Sequence, residues 1–540
     1  MSRSPLFARL RRTLSLALHA ERQNLPTAEL VETFSDQAAQ ARRAQRRLDR
    51  RRFLALSAAL GVSSLAPRAA AQPAERRRGG GSARIAIIGA GIAGLTCAYR
   101  LEQAGQRVTL FDSWNRIGGR MFTSRDRWRD GQHAELGGEF IDTDHEALQV
   151  LALELGLTLD PILELPGSGI TQDTWFFDGR AVSDAEVVSA FRAVAPQLAL
   201  DAASEEDEDE FTRLDELSLE GYLDSLAELA PMLRQLLEAA YVSEYGRELA
   251  EQSTWNLLWL IDAEEPDPFH VYGDSDEAFR LRGGSDRLTT ALFEQLVSPV
   301  LLEHQLVRVR ERGDGSLRLS FERGTRGTRE EVFDLVVFAL PFTRLRQVQL
   351  DVRLPANKRQ IIAELGMGTN AKLMAQFDER IWRTQHQASG AVTTGPAATH
   401  TGLQQLWDTA RSQRGEAGLL TVYTGGVTGE RLGRGNAEEQ LLARLPLIDR
   451  IFPGTADAYL RGSAVRMHWP SVEHTLGSYS CYLPGQASFS GLEGESVGRL
   501  HFCGEHTSVD FQGFMNGGAE SGERVAAELI ERLRLSATAP

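Results

Sequence analysis

A chain of 540 residues is too long for one ordinary hydrophobic core, so two or more domains are expected. With 42% apolar and 25% charged residues it is globular in type, and no run approaches the roughly 20 uninterrupted apolar residues of a membrane span. A net charge of -15 argues against a nucleic-acid partner.

Residues 1–71 differ from the rest, carrying 13 Arg against 5 acids. Paired arginines precede Phe53-Leu54, a mild apolar stretch covers 55–66, and Pro67-Arg68-Ala69-Ala70-Ala71 follows. Basic region, apolar region and small-residue cleavage site read as a twin-arginine signal peptide. That reading brings the twin-arginine export machinery as a partner, export in the folded state with cofactor loaded, and a periplasmic or secreted location. A basic amphipathic N-terminal helix is the plain alternative. Residues 72–83, with Arg76-Arg77-Arg78-Gly79-Gly80-Gly81, form a linker. Three cysteines imply no disulfide framework, and Cys97 and Cys503 are expected to be buried packing residues.

A strand at 85–88, a turn Gly89-Ala90-Gly91-Ile92-Ala93-Gly94, a helix at 95–103 and a second strand at 108–111 follow in order. Gly89 permits a tight turn, Gly91 lets backbone approach a pyrophosphate, and Gly94 lets helix and strand pack closely. Ile92 and Ala93 lie in the turn before the helix, whose free N–H groups at its start attract phosphate. Asp112 closes the unit, placed to accept from a ribose hydroxyl. This is a dinucleotide fingerprint that does not separate FAD from NAD; a plain Rossmann-like domain is the bland alternative.

Residues 145–280 are helical in pattern, with apolar residues recurring at three and four in Leu148-Leu151-Leu153-Leu155 and Leu233-Leu236-Leu237-Tyr241. The acidic run 205–210 reads as a solvated loop. Strands are predicted at 306–309, 317–321 and 335–340, the last apolar throughout and so covered on both faces. A mixed region from 345 to 465 holds strands at 371–377 and 419–423, and a helix at 518–533 closes the chain.

Between these elements stand Arg116-Ile117-Gly118-Gly119-Arg120, Glu135-Leu136-Gly137-Gly138-Glu139-Phe140-Ile141-Asp142, Arg282-Gly283-Gly284, Val307, Lys372, Trp469 and Gly477-Ser478-Tyr479. The order ends with Cys503-Gly504-Glu505-His506-Thr507 and Gly513-Phe514-Met515-Asn516-Gly517-Gly518-Ala519. In these motifs, over nearly all of 84–535, the sequence resembles the flavin-containing amine oxidase family of monoamine, polyamine and L-amino acid oxidases.

The resemblance implies an α/β fold: a discontinuous Rossmann-like FAD-binding domain of the glutathione-reductase type from 84–144, 281–345 and 465–535. Interleaved with it is an α+β substrate domain of mixed sheet plus helices, from 145–280 and 346–464. Gly119 brings a second loop to the cofactor, and Arg120 offers a planar donor fork near its phosphates. Gly137, Gly138, Glu139 and Val307 are further cofactor positions. Gly504, Glu505, Gly513, Phe514 and Met515 build the second half of the cradle. Ser478 stands where covalently flavinylated members carry cysteine, so the FAD is expected to be non-covalent. No metal is expected.

The implied reaction moves hydride from the amine-bearing carbon to flavin N5. Dioxygen then reoxidises the flavin to give hydrogen peroxide, and the imine hydrolyses to ammonia and an aldehyde or keto acid. Lys372 matches the lysine that holds a water beside N5, and burial is expected to disfavour its charge; a solvent-facing edge-strand lysine is the alternative. Tyr479 and Phe514 occupy the aromatic-cage positions, Phe514 departing from the commoner tyrosine, and Trp469 is expected near the ring. Asp142 matches an acid of polyamine-directed members or, alternatively, caps the following helix. Two other functions stay open: an L-amino acid oxidase for basic amino acids, although Glu139 and Phe140 stand where such enzymes carry arginine, and a non-oxidative flavin-binding isomerase or carrier. A homodimer is one open assembly.

Overall fold

The computed structural model describes Ala17 and residues 83–163, 169–171, 174–259, 277–393 and 402–538. Apart from Ala17 and Ala83, the signal-peptide and linker readings lie outside the described residues. In chain order, the elements that place the site are β1 (Ile85–Ile88), α1 (Ile92–Gln103), β2 (Val108–Phe111), α2 (Glu146–Glu154), α3 (Pro231–Tyr245), β3 (Phe279–Leu281), β4 (Gln305–Glu311), β5 (Leu335–Phe338), β6 (Ala371–Phe377), β7 (Gln405–Asp408), β8 (Gly418–Thr424), β9 (Val465–His468), β10 (Leu500–Phe502) and α4 (Met515–Thr538).

Uninterrupted apolar strands make a parallel sheet covered on both faces, in the order 300–301, β2, β1, β5, β10. Alternation along β1 sends Ile85 and Ile87 into a core with Leu95, Leu101, Val525 and Leu529, and Ala86 and Ile88 into another with Phe111, Phe321 and Phe338. The run predicted for 335–340 ends as a strand at Phe338, with Ala339 N still donating to Ile88 O at 2.8 Å ahead of Pro341. The second layer is a seven-stranded mixed sheet beginning β9, β6, β8, β7, with Lys372 opposite Tyr423 on one side and Met467 on the other. β6 is therefore an interior strand, buried at every position, which removes the edge-strand alternative for Lys372.

Helix ends differ from the sequence reading where caps decide them. Gly91 is the N-cap of α1, so the helix starts at Ile92, and α4 starts at Met515. The acidic run 205–210 is only partly a loop. Asp207 caps a helix at Glu208–Glu216 by accepting from Asp209 N and Glu210 N, and the acids of its first turn face the positive end of the helix dipole.

Segments also pack differently from the sequence division. Leu148, Leu151 and Ala152 of α2 join the core of α1 and α4 rather than that of the helical segment. Ile361, Ile362 and Leu365 join the Phe111–Phe338 core, and β9 pairs with β6 in the mixed sheet. All three cysteines are free and buried. Among the described residues, no helix is long and apolar enough to cross a membrane.

Candidate active site

One cavity runs from the glycine turn after β1 to an aromatic end between the two layers. Its first wall follows from three glycines. Gly89 has φ +114°, and a Cβ there would lie 2.3 Å from the Ala339 carbonyl oxygen. At Gly94 a Cβ would lie 1.9 Å from the Gly89 carbonyl oxygen, so this residue supports the turn from behind. Gly91 instead faces space, its nearest neighbour being Gly119 Cα at 4.0 Å, and Ile92 and Ala93 at the start of α1 line the cavity with it. Asp112 also lines it while accepting from Ala90 N at 2.7 Å and Trp114 N at 2.8 Å. Burial raises its carboxyl above the ordinary value despite these donors.

The second loop is tied to the first by Gly118 N donating to Ala90 O at 2.9 Å. Arg120 Nη1 donates to Glu505 Oε1 and to Ser478 O, each at 2.7 Å. The fork that sequence aimed at phosphates is thus committed in part to bracing three motifs. Glu505 Oε2 accepts from Ser480 Oγ at 2.8 Å and Gly513 N at 2.9 Å. Burial alone would raise its carboxyl, but Arg120, His506 and these hydroxyl and guanidinium donors bring it down to about 2. Of the expected cofactor positions, Gly119, Gly137, Gly138, Val307, Gly504, Gly513, Phe514 and Met515 all line the cavity.

At the aromatic end, Lys372 Nζ donates to Gly137 O at 2.8 Å and Glu139 Oε2 at 2.9 Å. Arg280 Nη2 lies 3.2 Å from Glu139 Oε1, which also accepts from Trp407 Nε1 at 3.3 Å. Glu139 thus supplies Lys372 with a buried counter-ion. Glu139 lines the cavity as well and turns its carboxylate to Lys372 and Arg280; burial opposes its charge, but these cations hold it below the ordinary carboxyl value.

Both expected cage residues, Tyr479 and Phe514, line the cavity. Tyr479 OH donates to Glu244 O at 2.5 Å, and Tyr423 OH lies 2.5 Å from Tyr479 OH. Phe514 lines the cavity with its ring edge-on to His145 at 4.9 Å. Tyr423 and Trp407 were missed as site residues; the predicted strand at 419–423 contained Tyr423, and only the pairing of β6 with β8 shows that it lies opposite Lys372. Trp469 lines the cavity and donates from Nε1 to Leu136 O at 3.0 Å.

Asp142 is buried in the cavity wall, with Oδ1 accepting from Glu277 N at 2.9 Å and Oδ2 3.4 Å from His145 Nε2. The N-cap of α2 is His145, so the helix-cap alternative for Asp142 falls away. Glu277, a second buried acid in the same wall, was not foreseen.

A family model described as flavin containing amine oxidoreductase matches residues 92–530. The chain belongs to this family. This flavoenzyme is 24% identical to the L-amino-acid oxidase of Siganus canaliculatus over 473 residues, 84% of this chain and 86% of that protein. It is 21% identical to amine oxidase [flavin-containing] B of Sus scrofa, over 83% and 86%. Among solved structures, it resembles cyclohexylamine oxidase from Brevibacterium oxydans with a TM-score of 0.71 at 22% identity, over 84% of this chain and 100% of that one. Wild-type putrescine oxidase bound to putrescine gives 0.70 at 19%, over 83% and 99%. At these identities the structural likeness establishes the fold, a Rossmann-like flavin domain with a substrate domain; the family establishes a flavin-dependent oxidoreductase.

Proposed function

We propose that the protein is an oxidase that holds FAD non-covalently and converts a cationic amine to its imine, which hydrolyses with release of ammonia. The residues fit that cofactor. Gly91 leaves the start of α1 open toward the cavity, where its N–H groups suit a pyrophosphate, and Asp112 stands at the end of β2 for a ribose. Ser478 precedes Tyr479 and donates from its hydroxyl to Asn370 Oδ1 at 2.6 Å, so no thiol is available there for a covalent bond.

One observation carries the substrate class: the buried acids Asp142 and Glu277 share the cavity wall with Tyr423, Tyr479 and Trp407. Acids and aromatic faces attract an ammonium, whereas a carboxylate calls for a cation of its own. The FAD, when bound, supplies the ring that accepts hydride and passes electrons to dioxygen. Tyr479, fixed through Glu244 O, and Phe514 with Trp469 exclude water and orient the C–H bond. Asp142 holds a second, distant ammonium of a diamine or basic substrate. The L-amino acid reading is supported by the Siganus canaliculatus relative and by the positive charge left where Lys372 and Arg280 share Glu139, and is weakened by the acids Asp142 and Glu277 in the cavity wall. The twin-arginine segment supports folded export to a periplasmic or secreted location.

Peroxide release with tyramine, putrescine, spermidine, L-arginine, L-lysine and L-phenylalanine tests the reading. Turnover of the carboxylate-free amines is expected. Activity on carboxylate-bearing substrates alone would replace amine by amino acid, and bound flavin that no amine bleaches anaerobically would favour a non-oxidative role.

A further inference from the structure

Lys372, Glu139 and Arg280 form a buried chain of three charges with a sum of +1, their side chains 7%, 2% and 4% exposed. Around it, Glu135 accepts from Thr123 Oγ1 at 2.8 Å and Ser285 N at 3.0 Å, and burial pushes its carboxyl up to about 7, so near neutrality it adds only part of a negative charge. Burial together with the charges of Arg280 and Arg125 brings the nearby His133 down to about 4, leaving it neutral, while Arg411 adds a further positive charge near Glu139. Trp407 and Tyr423 face Lys372 from β7 and β8, the Trp407 ring 5.3 Å from Nζ. Glu139 is thus the one carboxylate in hydrogen-bond contact with the lysine among the described residues.

We propose that Glu139, backed by Arg280, is a positioning residue that keeps Lys372 an ammonium, so that the lysine donates a hydrogen bond into the cavity and takes no proton from the substrate. Two of the three N–H donors are taken by Gly137 O and Glu139 Oε2, and Lys372 lines the cavity, which leaves the third for whatever acceptor lies there. Arg280 makes the dependence on Glu139 acute. Without the carboxylate, two cations would share one buried site; a guanidinium keeps its proton, whereas a buried lysine gives its up readily. The lysine would be the group to neutralise. The substrate amine must then give its own proton to solvent before C–H cleavage, and the pH dependence of flavin reduction follows the substrate's ionisation rather than that of the lysine.

The role at the ring rests on the FAD reading, whereas the charge state can be measured apart from it. Lys358 and Lys372 are the two lysines of the 540-residue sequence, so protein made with lysine carrying carbon-13 at Cε gives two NMR resonances, and Lys372→Met identifies one by its loss. In the purified wild-type protein at about pH 8, the Lys372 resonance is expected at the ammonium position. Glu139→Gln should move it to the free-amine position, and Glu139→Asp should restore the ammonium. A free amine in the wild type would overturn the proposal with no variant needed, as would a Glu139→Gln resonance that stays put. In stopped-flow reduction with two amines of different basicity, the wild-type midpoint should shift with the substrate and Glu139→Gln should add a second ionisation. Protein without flavin would fail the functional reading while the NMR result still decides this one.

Discussion

Arg120 Nη1 lies 2.7 Å from Glu505 Oε1, a contact spanning 385 residues of sequence. The same nitrogen holds Ser478 O, so one guanidinium fastens the second glycine loop, the segment before Tyr479 and the closing motif into a single cradle. Arg120→Met would strand a carboxylate that is 7% exposed. Removing one partner of such a buried pair costs about 3 kcal/mol. The variant is expected to melt several degrees lower and to emerge from purification with a reduced flavin-to-protein ratio; a full complement of flavin at an unchanged Tm would show that the pair is no brace.

The glycines of the first turn should separate folding from cofactor binding. Gly94→Ala places a methyl 1.9 Å from backbone oxygen and 3.2 Å from Ala339 Cβ, between elements that cannot both yield, so the soluble yield should collapse. Gly91→Ala meets nothing closer than 4.0 Å and points where the phosphates belong. It should fold with a near wild-type circular dichroism spectrum while FAD affinity falls tenfold or more, about 1.4 kcal/mol. Equal losses in both variants would contradict this division.

The contrast explains what sequence could deliver. The βαβ unit is written locally: apolar strands, three spaced glycines and a terminal acid lie within 28 residues, and the structure folds them as strand, turn, helix and strand beside the cavity. The partner of Lys372 was not legible, although both residues were singled out, because Glu139 and Lys372 lie 233 positions apart and meet only when the loop before 140–141 crosses β6. Tyr423 escaped for the same reason. Its side chain is ordinary strand composition until the pairing with β6 sets it opposite the lysine. Packing of α2 against α4 likewise depends on a helix from the far end of the chain.

Tyr423 is expected to act through Tyr479. Because Tyr479 spends its proton on Glu244 O, Tyr423 donates to Tyr479, and the pair holds one ring face toward the cavity. Tyr423→Phe loses a hydrogen bond worth about 1 kcal/mol, which corresponds to roughly a fivefold loss in kcat/KM for the best amine. Steady-state kinetics check this, and unchanged kinetics would place Tyr423 outside the site.

Asp142→Asn should discriminate between substrates. The amide keeps an acceptor for Glu277 N but loses the charge facing a distant ammonium. Diamine kcat/KM should fall by about 30-fold, or 2 kcal/mol, with a monoamine of similar length changing far less. Parallel losses on both substrates would remove Asp142 from substrate recognition.

Stability should depend on pH in two stages. Burial keeps His145 near about 3 and, outweighing the pull of its neighbour Glu505, lowers His506 to about 4; His133 also lies near about 4, against an unfolded value of 6.5. Below 6.5 the unfolded chain therefore binds protons that the native state refuses, and stability falls as pH falls. Burial raises Glu135 and Glu493 to about 7, so between 7 and 4.5 the native state holds two protons that the unfolded chain releases, which works in the opposite direction. His468 and His474 are lowered by burial as well, so the histidines outweigh these two carboxyls and the net decline there is shallow. Below 4.5 the unfolded chain protonates those two carboxyls as well and their opposition ends, while Glu505, held near about 2, adds stability that is present above 4.5 and is lost as pH drops toward 2. Thermal melts should thus show a shallow decline from pH 6.5 to 4.5 and a steep one below. A Tm that holds or rises through pH 4 would mean that these histidines are protonated in the folded protein.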